Sequence, residues 1–365
     1  MRILIFNWKD INHPRFGGAE YVTYQYAKNL VDFGHQVTWF TSTYPGAKSE
    51  ELIDGIKILR RGNLWSMYIY AFFVYQKSRT DIDIVIDQIH GIPFFTPLYV
   101  RKPVLAWIHE IAGVIWFIEF PPAISYLGSI AEILYLKWYR KIPFITDALS
   151  TKNELITSGI PQNHIHTIPL TIDMVKPGNT QKSKIPSIIY VGRLTPMKRI
   201  ELLIQAAAII KTRFPHLKIM IAGSGKPAYE KKLKQLVREL KLDGVITFVG
   251  RVTDIHKWQL LRKAWLLVHP SIKEGFGLTV LEAAACGTPT VCFNVAGLRD
   301  LIKNGENGVI VSPQTPQALA KEIEELLANK QKLRRLSKNE RNWSKTFPSW
   351  KQQTKKLEKI LLENA

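Results

Sequence analysis

The sequence predicts an α/β protein with two Rossmann-like, doubly wound domains that face a central cleft. The chain has 365 residues, too long for one ordinary domain and suited to two domains of roughly 150 to 200 residues each. Short apolar runs alternate with helical patterns twice along the chain, which indicates parallel sheets built from βαβ units. Sheets of this kind bind ligands beyond the carboxyl ends of their strands.

Five strands are predicted in each half of the chain. The first half contains RILIFNW, QVTWFT, DIVIDQI, VLAWIH and FITDAL, and the second contains SIIYVGR, KIMIAG, VITFVG, WLLVHPS and PTVCFN. Residues 171–187, between the halves, are polar and rich in Pro, Gly, Lys and Ser. We therefore expect a first domain at 1–170, a linker at 171–187 and a second domain at 188–348.

The charge of the chain predicts anionic partners. Fifty Lys and Arg residues against thirty Asp and Glu residues give a formal net charge of +20. Residues 330–359 alone contain eleven Lys or Arg and two Glu, a net charge of +9. Nucleic acid, an acidic membrane surface and phosphorylated substrates would each suit this charge, and a solvated helix face is the alternative explanation.

Cysteine usage and hydropathy predict a cytoplasmic protein. Cys286 and Cys292 provide neither a disulfide framework nor metal-ligand spacing. The longest apolar stretch, residues 111–136, is interrupted by Glu132, by a second glutamate and by a Pro-Pro pair. Because residues 111–139 are rich in Trp, Tyr, Ile and Leu, we expect peripheral docking on the anionic inner face of a membrane. The alternative is that this stretch packs into the core of the first domain.

Two stretches of the first half follow predicted strands and carry candidate binding residues. Gly17 and Gly18 lead into a helix whose N–H groups and dipole suit a phosphate or a sugar hydroxyl, although most Gly-Gly pairs are only turns. His109 ends the strand VLAWIH, where it either hydrogen-bonds a substrate or has a structural role. The second His of a zinc-binding HExxH motif is missing, so the sequence does not support a zinc site.

Arg193 and Lys198 follow the strand SIIYVG in the second half. Arg offers a planar fork of donors and Lys a point charge, and the two together favour a pyrophosphate site over ordinary surface charge.

The stretch EGFGLTVLE, residues 274–282, predicts a helix that begins near Gly277. Its first N–H groups, from Phe276 to Thr279, would point at an anion, and Glu282 lies about one turn into the helix. Glu282 is surrounded by Leu and Ala, and burying a carboxylate there is costly unless it binds something.

The spacing of the two glutamates argues against glycoside hydrolysis. In a continuous helix, Glu274 and Glu282 would lie about 12 Å apart, beyond the roughly 5 to 9.5 Å that separate the carboxylates of glycoside hydrolases. The longer distance suits a nucleotide sugar, because its hexose and its ribose flank a pyrophosphate.

The chain resembles the retaining glycosyltransferases of family 4, which have the two-domain GT-B architecture. The resemblance covers nearly the whole chain and implies that a final helix at about 349–365 packs back on the N-terminal domain. It implies an acceptor-binding first domain and a second domain that binds the nucleotide sugar. The motifs that carry it, in order, are FGGAE (16–20), WIHE (107–110), VGRLTPMK (191–198), IAGSG (221–225), ITFVGRV (246–252) and EGFGLTVLEAAACGTPTV (274–291).

The resemblance also implies roles for individual residues. Glu274 would contact hydroxyls of the donor sugar, Glu282 would hold the ribose, and Arg193 with Lys198 would bind the pyrophosphate. The implied catalytic set is Glu274, His109, Arg193 and Lys198. The implied donor-binding set is Gly17, Gly18, Arg193, Lys198, Arg251, Val252, Glu274, Phe276, Gly277, Leu278, Thr279 and Glu282.

The implied activity is retaining, metal-independent hexosyl transfer in the synthesis of cell-envelope glycans, with no cofactor. By family frequency a UDP-sugar is the first choice of donor and GDP-mannose the next, and the acceptor would be a glycan, a lipid-linked glycan or another hydroxyl. Two departures from the family pattern, IPLTID at 168–173 in place of IPNGVD and Ala148 in place of serine, concern the acceptor side. The alternatives are a GT-B sugar-nucleotide epimerase or phosphorylase, and a basic nucleic-acid-binding protein. No recognised nucleic-acid-binding module is present in the sequence, so we expect no nucleic-acid partner.

Overall fold

The computed structural model describes residues 1–173 and 181–365 and divides the chain into two compact units. The first unit consists of Met1–Thr171 and Pro348–Ala365, and the second of Ile172–Phe347. Of the predicted linker at 171–187, residues 174–180 lie outside the described residues.

An eight-stranded sheet forms the centre of the first unit. Its strands follow the spatial order β3-β4-β2-β1-β5-β6-β7-β8, and only β3 and β4 pair antiparallel. The chain order reverses between β1 and β5, the position at which doubly wound sheets bind ligands. The strands are β1 (Arg2–Phe6), β2 (Gln36–Thr41), β3 (Glu50–Ile53), β4 (Ile56–Arg60), β5 (Ile84–Ile89), β6 (Val104–Ile108), β7 (Phe144–Thr146) and β8 (Ile165–Thr167).

A six-stranded, wholly parallel sheet forms the centre of the second unit. Its spatial order is β11-β10-β9-β12-β13-β14, so the chain order reverses between β9 and β12. The two predicted doubly wound sheets are therefore confirmed. The strands are β9 (Ser187–Val191), β10 (Lys218–Ala222), β11 (Ile246–Gly250), β12 (Leu266–His269), β13 (Thr290–Phe293) and β14 (Gly308–Val311).

Helices connect the parallel strands and cover the two sheets. In chain order they are α1 (Gly18–Asp32), α2 (Met67–Ser78), α3 (Val114–Glu119), α4 (Pro122–Trp138), α5 (Leu149–Thr157), α6 (Ile200–Ile210), α7 (Pro227–Glu239), α8 (Asp254–Lys263), α9 (Leu278–Ala285), α10 (Leu298–Leu301), α11 (Pro316–Ala328), α12 (Lys330–Ser344) and α13 (Trp350–Asn364). None of the helices formed by residues 1–173 and 181–365 combines the length and the hydropathy that crossing a bilayer requires.

All ten predicted strands are present, and most of their apolar residues are buried. Every residue of β5, β6, β9, β12 and β13 is buried, and continuous Val, Ile and Leu runs are typical of such strands. The prediction missed β3, β4, β8 and β14. The strands β3 and β4 form a hairpin through Asp54 and Gly55, whose φ angles of 46° and 78° suit a tight turn.

The last helix, α13, belongs to the first unit and packs on α1. The ring of Trp350 lies against Tyr26, with 5.4 Å between ring centroids. Glu358 contacts His35 at 2.8 Å, and Gln353 donates a hydrogen bond to the carbonyl of Pro169. The basic run at 330–359 is thereby divided between α12 of the second unit and α13 of the first.

Candidate functional site

The candidate site of the second unit lies beyond the carboxyl ends of β9 and β12. Arg193 and Lys198 follow β9, and Glu274 follows β12. Because these neighbouring strands are parallel, their following loops emerge at the same edge of the sheet. The topology therefore brings together residues that are far apart in the sequence.

Two glycines of the IAGSG motif let the loop after β10 approach the loop after β9. A Cβ atom on Gly223 would overlap the carbonyl oxygen of Gly192, and one on Gly225 would overlap that of Leu194. Gly223 also has a φ of 143°, which favours glycine. The motif therefore has a packing role beside the candidate site.

Glu274 is buried and accepts contacts from three side chains. Its Oε1 lies 2.6 Å from Lys198 Nζ, 2.7 Å from Ser271 Oγ and 3.3 Å from His269 Nδ1. Burial opposes ionisation of this carboxyl, but the charge of Lys198 and the contact with His269 lower its pKa to about 2. Glu274 is therefore an anion at neutral pH, and its Oε2 accepts no hydrogen bond from the described residues.

His269 connects this network to the following helix. Its Nδ1 lies 3.0 Å from Ser271 Oγ, and its Nε2 lies 3.1 Å from Thr279 Oγ1 in the first turn of α9. Burial lowers the pKa of His269, which favours the neutral ring. A neutral ring with one donor and one acceptor suits two hydroxyl partners. His269 therefore holds the Glu274 loop and the start of α9 together.

The start of α9 leaves its first N–H groups without a side-chain cap. Its N-cap, Gly277, has a φ of 103° and no side-chain hydrogen bond. Leu278 and Thr279 are only partly buried, whereas Phe276 packs inward. A Cβ on Gly297 would overlap the carbonyl oxygen of Glu274, so close backbone packing positions this loop. The helix therefore begins where the sequence predicts.

Glu282 lies within α9 and has one charged partner. Its Oε1 lies 2.7 Å from Nζ of Lys257 on α8, which also contacts Asp254 at 3.0 Å. Burial raises the pKa of Glu282, and Lys257 offsets only part of that effect. Its Oε2 is buried and has no hydrogen-bond partner within the described part of the chain. The carboxylate is thus half-satisfied and can accept further hydrogen bonds.

The other predicted donor-binding residues lie in exposed or half-buried loops. The side chain of Arg193 is exposed, while its carbonyl accepts a hydrogen bond of 2.9 Å from Tyr190. Arg251 is exposed and Val252 is half-buried, both directly after β11. The next residue, Thr253, caps α8 by accepting from the N–H of His256. The loop that carries Arg251 and Val252 therefore leads into the helix that carries Lys257.

In the first unit, His109 is joined to a buried aspartate. Its Nδ1 contacts Oδ2 of Asp147, whose Oδ1 accepts a 3.2 Å hydrogen bond from Trp107 Nε1. Burial opposes the protonated ring, but the Asp147 carboxylate raises the pKa of His109. The Nε2 atom of His109 is buried and has no partner among the described residues. His109 is therefore an oriented imidazole whose second nitrogen is available for a ligand.

Other polar residues gather at the carboxyl ends of β1 and β5. The rings of Trp8 and His90 stack at 5.1 Å, and those of His90 and His109 lie 5.7 Å apart. The buried Glu20 contacts Lys9 at 3.1 Å and accepts a 2.6 Å hydrogen bond from the N–H of Gly17. Gly17 and Gly18 do begin a helix, but the N–H of Gly17 is occupied by Glu20.

Sequence reasoning missed the side chains that orient the predicted residues. Three of them lie at the carboxyl ends of strands, which is the signal that could have found them: Asp147 follows β7, His269 ends β12 and Ser271 comes two residues later. Lys257 and Glu20 carry no such signal, because each lies inside a helix and only the fold reveals its partner.

The candidate site suits an anionic ligand. Lys198 and Lys257 place positive charge beside Glu274 and Glu282, and the exposed Arg193 lies on the loop that also carries Lys198. Within residues 1–173 and 181–365, no three His, Cys, Asp or Glu side chains converge as a metal-ligand set.

Comparisons with known proteins identify the family and the fold of the chain. Residues 173–343 match the family of glycosyl transferases group 1, and residues 16–176 match Glycosyltransferase Family 4. The chain is 38% identical over 362 residues to an uncharacterized glycosyltransferase from Methanocaldococcus jannaschii, which covers 90% of each chain. It is 32% identical to the putative glycosyltransferase EpsD from Bacillus subtilis over 160 residues, 44% of this chain and 41% of that protein.

Two solved structures show the same fold along the whole chain. Sucrose-phosphate synthase from Thermosynechococcus elongatus is 21% identical, with a TM-score of 0.83 and coverage of 99% of this chain and 98% of that one. The Anabaena protein HepE, solved in complex with UDP and glucose, is 19% identical, with a TM-score of 0.77 and full coverage of both chains.

The opposite pKa shifts of the two glutamates predict opposite effects on stability. Glu274→Gln should lower the free energy of unfolding by about 3 kcal/mol, because it leaves the buried Lys198 without its counter-ion. Since folding lowers the pKa of Glu274 from 4.5 to about 2, this deficit should be complete above pH 4.5 and disappear as the pH falls toward 2. Glu282→Gln should instead raise the free energy of unfolding at neutral pH, because burial raises the pKa of Glu282 and disfavours its charge, while Lys257 keeps Asp254 as a counter-ion. Urea unfolding of the ligand-free protein measures both.

The exposed Glu306, whose side chain is 69% exposed, provides the matched control. Glu306→Gln should leave stability nearly unchanged at every pH. Equal destabilisation by the substitutions at 274 and 282 would contradict the assigned difference between the two carboxylates.

Proposed function

The chain belongs to the group 1 and family 4 glycosyltransferases and has their GT-B fold, and we propose that it transfers a hexosyl group from a nucleotide diphosphate sugar to a hydroxyl acceptor with retention of anomeric configuration. The second unit, 172–347, binds the donor, and the first unit supplies the acceptor-binding residues. The observation that carries this proposal is the pair of carboxylates, Glu274 and Glu282, that flank the uncapped first turn of α9.

Each carboxylate has one oxygen left for a hydroxyl. Glu274 uses Oε1 for its three protein partners, and Glu282 uses Oε1 for Lys257. We assign the hexose hydroxyls to Glu274 and the ribose hydroxyls to Glu282. Arg251 and Val252, after the neighbouring strand β11, frame the base.

The pyrophosphate occupies the start of α9. The N–H groups of Gly277, Leu278 and Thr279 and the positive end of the helix dipole attract an anion. Lys198 keeps two further N–H donors besides the one given to Glu274, and the exposed guanidinium of Arg193 adds a fork of donors. These fixed positive charges stabilise the leaving nucleoside diphosphate. Transfer therefore proceeds without a metal, and added chelator should leave the rate unchanged.

The anomeric configuration is retained because the acceptor hydroxyl attacks the same face of the sugar from which the leaving group departs. The acceptor hydroxyl bonds to the anomeric carbon as the bond from that carbon to the phosphate oxygen breaks, and the leaving phosphate takes the hydroxyl proton. The negative charge of Glu274 favours the positive charge that develops on the sugar. No protein nucleophile takes part in this step.

A UDP-sugar is the proposed donor, with GDP-mannose as the second choice. The support comes from HepE, a structural neighbour that was solved with UDP and glucose. For the acceptor we propose a glycan or lipid-linked glycan of the cell envelope, bound near His109 and the stacked rings of Trp8 and His90. The enzyme would act in the cytoplasm.

Kinetics of two variants test the donor assignment. With UDP-sugars and GDP-mannose as donors, release of the nucleoside diphosphate measures turnover. Glu274→Ala should lower kcat about a hundredfold with little change in UDP affinity, because it acts on the transition state. Glu282→Ala should weaken UDP binding at least tenfold, equivalent to the loss of about 1.5 to 3 kcal/mol for a charged hydrogen bond. Glu306→Ala, outside the site, should change neither.

Three results would contradict the proposal. Unaltered turnover and UDP affinity in both variants would remove the donor site from α9. Conversion of one nucleotide sugar into another without an acceptor would indicate an epimerase. An inverted anomeric configuration in the product, measured by NMR, would exclude the retaining mechanism.

The Asp147–His109 pair predicts a pH dependence. We propose that protonated His109 donates a hydrogen bond from Nε2 to the bound acceptor. Because Asp147 raises the pKa of His109, the active protonated form persists to higher pH in the native enzyme. Asp147→Asn should move the high-pH decrease in kcat to lower pH. Above that decrease, kcat of the variant should be about a hundredfold lower than kcat of the native enzyme. A His109→Gln variant should lack this decrease in kcat at high pH. The double variant His109→Gln/Asp147→Asn should have the same pH profile as His109→Gln. Superimposable profiles of the native enzyme and Asp147→Asn would contradict this role.

A further inference from the structure

The helix α4 of the first unit buries two polar side chains and leaves most of its apolar side chains exposed, although Tyr135 and Leu136 pack into the core. Glu132 is buried and accepts hydrogen bonds from the N–H groups of Ala112 and Gly113 at 2.8 and 2.7 Å, and from Trp116 Nε1 at 3.2 Å. Ser125, two turns earlier on the same face, is also buried and donates to the carbonyl of Trp116. This pattern is the reverse of a helix on a water-facing surface.

The outward side of α4 is joined by exposed side chains of α2. We name the two sets together the apolar face. Only Met67, Ala71 and Tyr75 of α2 are buried. Six members of the apolar face are between 54% and 76% exposed: Trp65, Ile69, Phe73, Leu127, Ile133 and Trp138. Contiguous exposed apolar side chains of this extent mark an interaction surface.

Aromatic contacts join the two helices through the turn at Thr96–Leu98. Phe72 of α2 lies 5.5 Å from Tyr99, and Phe95 lies 6.3 Å from Trp138 of α4, measured between ring centroids. Leu98, between them in the chain, is 64% exposed. The apolar face therefore continues from α2 to α4.

Two adjoining grooves lined by cations lie between the helices. One, of about 650 Å³, is lined by Arg101, Lys102, Lys141 and Trp138. The other, of about 620 Å³, shares Arg101 and Lys102 and adds Arg79. Within the described part of the chain, none of these four cations forms an ion pair with an acidic side chain. They are therefore available for an anionic ligand.

The cationic grooves lie at the opposite edge of the sheet from His109. Arg101 and Lys102 precede β6 and Lys141 precedes β7, whereas His109 and Asp147 follow these strands. The segment from α3 to α4 runs from the carboxyl end of β6 back to the amino end of β7. A ligand in the grooves would therefore leave the residues around His109 accessible.

We propose that the apolar face docks on an anionic lipid bilayer, with Arg79, Arg101, Lys102 and Lys141 binding phosphate groups of its lipids. Apolar side chains with Trp and Tyr beside cations match the acyl boundary and the headgroup layer of an interface. Charge complementarity favours this occupant over a second copy of the chain, because self-association would bring the same cations together on two molecules of net charge +20. The proposal concerns the first unit alone and does not rest on the donor chemistry above.

Vesicle flotation tests the docking. The full chain is mixed with phosphatidylcholine vesicles or with vesicles that also contain phosphatidylglycerol, at low and at high salt. It should float with the anionic vesicles, and high salt should weaken this binding. Arg101→Gln/Lys102→Gln should reduce the partition coefficient about 30-fold, because each cation removed from the membrane surface should reduce it about fivefold. Leu127→Gln/Ile133→Gln should reduce it at least about tenfold through lost apolar burial.

Matched controls come from the second unit. Lys231→Gln/Lys232→Gln removes the same charge from exposed positions of α7, and Ile209→Gln removes an exposed apolar side chain from α6. These controls should float like the native chain. Unfolding transitions and UDP binding, measured for every variant, separate lost docking from lost folding and from failure of the donor site.

Three outcomes would overturn the proposal. The first is failure of the native chain to float with either kind of vesicle. The second is an equal loss of flotation in the Lys231/Lys232 control and in the Arg101/Lys102 variant. The third is concentration-dependent self-association without vesicle binding that the Leu127/Ile133 variant abolishes, which would make the face a protein interface.

Discussion

The ion pair between Lys198 and Glu274 is the interaction on which the candidate donor site depends. The two residues come from loops that follow neighbouring strands, and their 2.6 Å contact holds those loops together. A buried carboxylate would otherwise be protonated, but Lys198, His269 and Ser271 keep it charged. The same contact leaves one carboxylate oxygen and two ammonium hydrogens for a ligand. A single pair therefore supplies both the structure of the loop and the charge that the proposed chemistry needs.

The same topological constraint assembles the polar residues of the first unit. Its sheet reverses chain order between β1 and β5, and Trp8, His90, His109 and Asp147 follow the carboxyl ends of β1, β5, β6 and β7. Asp147 orients His109 much as Lys198 orients Glu274, by a charged contact across neighbouring strands. In both units the proposed ligand-binding side chain is held by a partner on the next strand, so its geometry exists before a ligand arrives.

The two sheets can be predicted from the sequence because most of their strands are buried on both faces and therefore consist of apolar runs. The strand β8 is missed because its three residues, Ile165–Thr167, include only one apolar side chain. The hairpin of β3 and β4 is missed because its strands are half-exposed and form no continuous apolar run. Its Asp-Gly turn is nevertheless a sequence pattern typical of a β-hairpin. The family resemblance is confirmed.

The residues predicted for the donor site lie at loop positions that a sequence motif can specify. Lys257 could not be predicted, because its contact with Glu282 depends on how α8 packs on α9. The orientation of Glu132 likewise depends on which side of α4 faces the unit. Its sequence neighbours predict an apolar surface stretch but not the buried hydrogen bonds that it forms.

A crystal structure of the protein with an intact UDP-sugar tests the central claim most directly. We expect the diphosphate at the N–H groups of Gly277, Leu278 and Thr279, with a ribose hydroxyl on Glu282 and the hexose hydroxyls on Glu274. A nucleotide bound elsewhere, or bound in the reverse direction with its ribose on Glu274, would contradict it.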